Sequence, residues 1–134
     1  MKLEHIAIWT HRLEDLKDFY VQYFDGVAST KYNNTQSGFS SYFIAFDSGA
    51  RLEIMYKPDI PDNLNDVVGS QYRGIIHLAF GVETTDEVNA KMTQLKDSGL
   101  PILRGPRVTG DGYFEFETLD PDGNRLEVST KYKK

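Results

Sequence analysis

The 134-residue sequence contains no cysteine, no long hydrophobic run and no dense cluster of lysine and arginine. Without cysteine there are no disulfides, thiolate nucleophiles or cysteine-bound metals, so any metal must be held by nitrogen and oxygen atoms. No apolar run approaches the roughly 20 residues that span a membrane, and we expect no membrane association. The net charge of −5 without a basic patch makes nucleic acid a poor partner.

The composition is that of one ordinary globular domain. Hydrophobic residues make up 40% of the chain and charged residues 26%, which argues against disorder. We therefore expect a single domain that covers residues 1–134. The first residues show no basic segment followed by an apolar one, so no secretory signal is predicted and a cytoplasmic location is expected.

Two stretches of the chain repeat one pattern of predicted elements, a strand followed by a helix and three strands. The boundaries are about 1–57 for the first module, 58–73 for a connector rich in proline and asparagine, and about 74–134 for the second module. Gly26 and Gly99 are predicted to stop the two helices, and Thr84 with Glu87 has the spacing of a capping box. Strands are predicted around 3–9, 27–31, 41–46, 51–56, 74–82, 102–104, 113–118 and 124–130.

The repetition extends to individual residues. HIAI at 5–8 matches HLAF at 77–80, and RLEI at 51–54 matches RLEV at 125–128. Self-similarity at a nearly fixed offset marks a duplicated structural unit. We therefore predict an α+β fold of paired βαβββ modules that form a curved mixed sheet around a cleft, with the helices on the outside.

Strand alternation places one histidine or glutamate on the side away from the core in each of four strands. Side chains on a strand point alternately to opposite faces, so Glu53 and Glu127 point away from their apolar neighbours. His5 and His77 are flanked by apolar residues in the same way. Two imidazoles and two carboxylates that meet in the cleft suit one divalent metal ion per site, such as Zn, Ni, Mn, Fe or Co.

A structural interpretation competes at each position taken alone. A single strand histidine is more often hydrogen-bonded in the structure than a metal ligand, and a single strand glutamate more often faces solvent. The four residues stand at equivalent places in two copies, however, and the third histidine, His11, has no counterpart. Together they favour a metal-binding cleft.

These features resemble the vicinal oxygen chelate superfamily, which includes glyoxalase I, extradiol dioxygenases, and fosfomycin- and bleomycin-resistance proteins. The resemblance rests on the paired modules, the His and Glu positions and the DPDG sequence at 120–123, and it covers nearly the whole chain. The full set of His5, Glu53, His77 and Glu127 is most similar to bacterial glyoxalase I. The dioxygenases and fosfomycin enzymes resemble it with His5, His77 and Glu127 alone, and the bleomycin binders generally have no metal set.

The resemblance implies a lyase or isomerase of the lactoylglutathione lyase type. Such an enzyme converts the hemithioacetal of a 2-oxoaldehyde and a thiol into a 2-hydroxyacyl thioester through a metal-stabilised enediolate. Glu53 and Glu127 are implied to be ligand and base, with Glu127 favoured as the principal base and Glu53 almost as well placed. Also implied is a homodimer with two sites, each built from the first His–Glu pair of one subunit and the second pair of its partner.

Several functions stay open beside this one. Glutathione-using glyoxalases tend to continue the first glutamate as E-L-T-x-N-W-G, whereas residues 53–59 read EIMYKPD, so the thiol of the small-molecule substrate is left open. An Fe(II) extradiol-type dioxygenase or a fosfomycin-type thiol transferase would use only His5, His77 and Glu127 as metal ligands, and Glu53 would have no role. A non-catalytic small-molecule binding or resistance protein would not need four ligands.

Other residues are predicted to lie on the same strand faces as the four ligands. Arg51 and Arg125 are expected to neutralise nearby carboxylates rather than to bind a substrate carboxylate. Trp9 is expected to be core or pocket wall. For the glycine-rich segment 104–112, a mobile cover over the site and an ordinary hairpin are equally favoured.

Overall fold

Two helices and nine strands make up the computed structural model, which describes all of residues 1–134 and divides into two units, Met1–Leu64 and Asn65–Lys134. The first unit contains β1 (His5–Trp9), α1 (Leu13–Phe24), β2 (Val27–Ala28), β3 (Tyr32–Asn34), β4 (Phe39–Ala45) and β5 (Arg51–Tyr56). The second unit contains β6 (His77–Gly81), α2 (Thr85–Asp97), β7 (Ile102–Val108), β8 (Tyr113–Leu119) and β9 (Arg125–Lys131). Neither helix is long and apolar enough to cross a membrane.

Each unit contains one open, mixed sheet. In the first unit the strand order is β1-β5-β4-β2, with β3 beside β4, and in the second it is β6-β9-β8-β7. The first and last strands of each unit run parallel to one another, and the other pairs are antiparallel. The predicted α+β fold of paired βαβββ modules is therefore confirmed.

The first unit departs from prediction at one strand. Of the strand predicted at 27–31, only Val27–Ala28 forms, as β2, and a separate short strand, β3, follows at Tyr32–Asn34; both pair with β4. Between them the backbone N–H of Phe43 donates to the hydroxyl of Ser29 at 3.0 Å instead of to a backbone carbonyl. This side-chain acceptor interrupts the ladder of backbone hydrogen bonds and separates the two strands.

The core of each unit lies between its helix and one face of its sheet. Burial of these apolar side chains is the main favourable term in folding. In the first unit α1 packs on β4 and β5, and in the second α2 packs on β7, β8 and β9. The fully or almost fully buried side chains are Leu16, Tyr20, Ile44, Leu52 and Ile54 in the first unit and Val88, Leu95, Phe116, Leu126 and Val128 in the second.

The helix ends match the sequence signals with one difference. The predicted capping box forms, since Thr84 and Glu87 each accept a backbone N–H of the other. Gly99 follows α2 with a φ of 80°. After α1, however, the left-handed residue is Asp25, with a φ of 55°. Gly26 is needed for space instead, because a Cβ there would lie 2.5 Å from Cγ2 of Ile44.

The glycine-rich segment 104–112 is a hairpin. Its first part belongs to β7, and the backbone N–H of Thr109 donates to the carbonyl of Tyr113 at 2.7 Å across the turn. Gly112 supplies the positive φ, 87°, that this tight turn requires. The hairpin turn therefore accounts for Gly112.

Candidate metal centre

The first unit brings His5 and Glu53 together on neighbouring parallel strands. In the register of β1 and β5, Ala7 lies beside Glu53 and His5 lies beside Arg51. Nε2 of His5 is 3.5 Å from Oε2 of Glu53, on the face opposite the buried residues of β5. The Glu53 side chain is only 17% exposed, so its carboxylate is largely removed from water.

The other nitrogen of His5 faces a carboxylate. Nδ1 lies 3.4 Å from Oε1 of Glu4, which is itself paired with the guanidinium of Arg51. That guanidinium holds the pKa of Glu4 below its ordinary value and also lies 4.2 Å above the ring of Phe43. The His5 ring meets the same phenyl ring edge-on at 5.4 Å. Glu4 and Phe43 thus fix the ring with Nε2 toward Glu53, as outer-shell partners of metal-binding histidines do.

The second unit repeats the pair with His77 and Glu127. The register of β6 and β9 places Ala79 beside Glu127 and Arg125 beside His77, as in the first unit. Nε2 of His77 is 3.3 Å from Oε2 of Glu127, whose side chain is 13% exposed. The residue before His77 is Ile76, so this histidine has no adjacent carboxylate like Glu4.

Two further glutamates lie beside Glu127 on the same face. Glu117 is directly opposite Glu127 across β8 and β9, and one oxygen each of Glu115, Glu117 and Glu127 lie within 4.8 Å of one another. Burial raises the pKa of Glu127 above its ordinary value, and the charges of Glu115 and Glu117 raise it further, while His77 and Arg107 oppose the shift. Glu127 is therefore held as a stronger base than an ordinary carboxylate.

Sequence reasoning missed Glu115 and Glu117 as neighbours of the site. The signal was present in the strand FEFET at 114–118, where alternation puts both glutamates on the face opposite Phe116. Both glutamates are buried, and each is neutralised by an arginine. Nη2 of Arg107 lies 3.1 Å from Glu115, and Nη1 of Arg125 lies 3.3 Å from Glu117.

Both arginines of the repeated RLE sequence take part in ion pairs, as expected. Arg51 pairs with Glu4, and Arg125 pairs with Glu117. Arg125 also donates to the backbone carbonyls of Val67 and Val68, at 3.4 and 3.1 Å. Its Nε is buried without a hydrogen-bond partner.

The donor chemistry of the two pairs fits a divalent metal ion. Each pair offers one imidazole nitrogen and one carboxylate oxygen, the atom types that Zn, Ni, Mn, Fe and Co accept. A carboxylate that is mostly buried is costly unless a positive partner offsets the lost hydration, and a cation would supply that charge. The third histidine, His11, is engaged elsewhere, since its Nε2 lies 3.0 Å from Asp62.

The protein thus consists of two βαβββ units, and each unit carries one His–Glu pair at the equivalent position. This chain belongs to the Glyoxalase/Bleomycin resistance protein/Dioxygenase superfamily, whose family model matches residues 2–128. None of the curated proteins matches the chain.

Solved structures of the same fold include three that are instructive. A glyoxalase family protein from Bacillus cereus is 13% identical, with a TM-score of 0.79 over 99% of this chain and 95% of that one. The trypanothione-dependent glyoxalase I of Leishmania major is 19% identical, with a TM-score of 0.74 over 97% and 86%. Lactoylglutathione lyase from Agrobacterium tumefaciens is 18% identical, with a TM-score of 0.69 over 96% and 92%. At these identities the likeness establishes the fold alone.

Proposed function

We propose that this protein is a divalent-metal-dependent lyase or isomerase of the glyoxalase I type. The observation that carries the proposal is the recurrence of one His–Glu pair, on neighbouring parallel strands in the same register, in both units. Membership of the superfamily and the fold shared with two glyoxalase I enzymes support it. Turnover of methylglyoxal and of phenylglyoxal, each with a panel of thiols and in protein loaded with several metals in turn, tests it. No turnover with any thiol would contradict the proposal.

In this proposal His5, Glu53, His77 and Glu127 hold one divalent ion per site. When bound, that ion would polarise two adjacent oxygens of the substrate and stabilise the negative charge that develops on them. Glu4 orients the His5 ring through Nδ1, so that Nε2 is presented as the donor atom.

We assign the principal base to Glu127. The substrate is the hemithioacetal of a 2-oxoaldehyde and a thiol. Glu127 removes the proton from the carbon bonded to sulfur and returns it to the neighbouring carbon, while a second proton moves from one substrate oxygen to the other. The product is a 2-hydroxyacyl thioester, an isomer of the substrate. Glu117 lies directly opposite Glu127, where Phe43 lies opposite Glu53, and a neighbouring carboxylate favours proton uptake by Glu127.

Metal retention provides the first test of the four ligands. Purified without chelator, the protein is expected to bind one equivalent of divalent metal per chain. Glu53→Gln and Glu127→Gln are each expected to weaken binding by more than the roughly 10–100-fold that loss of an outer-shell partner costs. Competition with a chromophoric chelator measures the affinities.

The control for metal retention is Glu83→Gln, which changes an exposed glutamate outside the strands and should retain metal like the parent. Unchanged affinity in both ligand variants would refute the four-ligand assignment. Protein that cannot be loaded with any divalent metal would instead favour a non-catalytic small-molecule binding protein.

We further propose a homodimer whose sites each combine the first His–Glu pair of one subunit with the second pair of its partner. Mixing Glu53→Gln with Glu127→Gln chains, unfolding them together and refolding them would then produce heterodimers with one intact site. At limiting metal, where both separate variants are expected to lose their metal, about a quarter of the wild-type activity is expected from a statistical mixture in a two-fold dimer. Activity that stays at the sum of the two separate variants would show that each site is built within one chain.

A further inference from the structure

The site face of the first unit carries three aromatic side chains beyond the metal ligands. Trp9 lies on the same side of β1 as His5, is 43% exposed and is the only tryptophan of the chain. Phe39 meets it edge-on with 6.0 Å between ring centroids, and Tyr32, which is exposed, lies 6.0 Å from Phe39. The three rings form an aromatic row that is open to a ligand on the face of the His5–Glu53 pair.

The scaffold does not require Trp9 at its position. The strand pairs β1–β5 and β6–β9 share one register, so each position of the first pair has an equivalent in the second. The equivalent of Trp9 is Gly81, and that of Met55, which lies beside Trp9, is Ser129. The second unit builds the same strand pair and the same His–Glu pair without an apolar side chain at either position, so folding does not account for Trp9.

The arginines nearest the two His–Glu pairs are not free to anchor a negatively charged substrate. Arg51 is held by Glu4, Arg107 by Glu115 and Arg125 by Glu117. Each guanidinium is therefore already neutralised by a carboxylate of its own unit. Beside the His5–Glu53 pair, Arg51 therefore offers no free cation, whereas Trp9 and Phe39 offer an apolar surface.

We infer that Trp9 and Phe39 form a subsite for an aromatic group of the substrate. This inference rests on the proposed function and deepens it: the substrate class is a compound with two adjacent oxygens that bind the metal and an uncharged aromatic group next to them. Trp9 offers a large, rigid surface for offset or edge-on ring packing, which adds to the gain from burying apolar area. Both residues are specificity-determining groups and take no part in proton transfer.

Two chelating probes that differ only in this group test the inference. Benzohydroxamate and acetohydroxamate both present two adjacent oxygens to a metal, and one carries a phenyl ring where the other carries a methyl group. In zinc-loaded protein we expect benzohydroxamate to bind at least about tenfold more tightly, and Trp9→Ala to remove most of that preference. Calorimetry gives both affinities, and the emission of Trp9 reports contact with the phenyl ring directly.

The controls separate the subsite from the metal site. Phe39→Leu is expected to lower the preference partly, and Val21→Ala, which changes an exposed apolar residue on α1, should leave it intact. Equal affinity for both probes in the parent, or an unchanged preference in Trp9→Ala, would overturn the inference while leaving the metal site in place. If the protein takes up no metal, the proposed function fails, yet a shift of Trp9 emission with benzohydroxamate would still support the subsite. No shift in either metal-loaded or metal-free protein overturns the subsite.

Discussion

Glu127→Gln is expected to lower kcat of the metal-loaded protein by about 10²- to 10⁴-fold, the contribution of a positioned general base. The amide cannot accept the carbon-bound proton, whereas the carboxylate can. The measurement is turnover of methylglyoxal with the best thiol at saturating metal, so that loss of metal affinity does not enter the comparison. A normal circular dichroism spectrum of the variant would exclude misfolding.

Glu53→Gln is the matched control for this assignment. It makes the same carboxylate-to-amide change at the equivalent position and removes the same kind of ligand. At saturating metal we expect its kcat to fall far less than that of Glu127→Gln. Equal losses in the two variants would leave no single principal base, and a larger loss in Glu53→Gln would transfer the role to Glu53.

The two glutamates differ in what faces them, although their sequence contexts are nearly the same. Opposite Glu53 on the neighbouring strand is Phe43, whereas opposite Glu127 is Glu117. A carboxylate that faces other carboxylates in a partly buried place binds a proton more strongly. The duplicated sequence thus supplies Glu53 and Glu127 at equivalent positions. The neighbouring strand, β4 or β8, makes their surroundings apolar in one case and acidic in the other.

Much of the candidate site was predictable because it depends on the alternation of side chains between the two faces of a strand. Alternation along RLEI and RLEV put Glu53 and Glu127 on the side away from the core, and the repeat aligned His5 and His77 with them. The pairing of His5 with Glu53 and of His77 with Glu127 then needed only parallel neighbours in the same register, which the βαβββ pattern favours. That all four bind one ion stays a prediction.

Features set by pairing between strands were not predictable from alternation within one strand. Alternation put Glu115 and Glu117 on one face of β8, but the antiparallel register of β8 and β9 is what brings them beside Glu127. The break between β2 and β3 depends on the Ser29 hydroxyl meeting Phe43, 14 positions away. The single-domain organisation with its connector at 58–73 and the cytoplasmic location also stay predictions.

Arg125→Ala is expected to destabilise the protein by about 3–5 kcal/mol, because it leaves a buried carboxylate without its partner. The side chains of Arg125 and Glu117 are only 10% and 9% exposed, so solvent would do little to compensate Glu117. The loss would also leave the carbonyls of Val67 and Val68 without the donors that Arg125 gives them. Urea unfolding of metal-free protein measures the change, since bound metal would add its own stabilisation.

Two comparisons test whether the unpaired buried charge of Glu117 causes the loss of stability in Arg125→Ala. Replacing both partners, as Arg125→Met with Glu117→Leu, removes the charge along with its counter-ion and is expected to restore most of the stability. Lys31→Ala breaks an exposed pair with Glu14 and is expected to cost less than about 1 kcal/mol. If Arg125→Ala costs no more than Lys31→Ala, water reaches Glu117 in the variant. If the double variant is as unstable as Arg125→Ala, lost packing, not the unpaired charge, accounts for the effect.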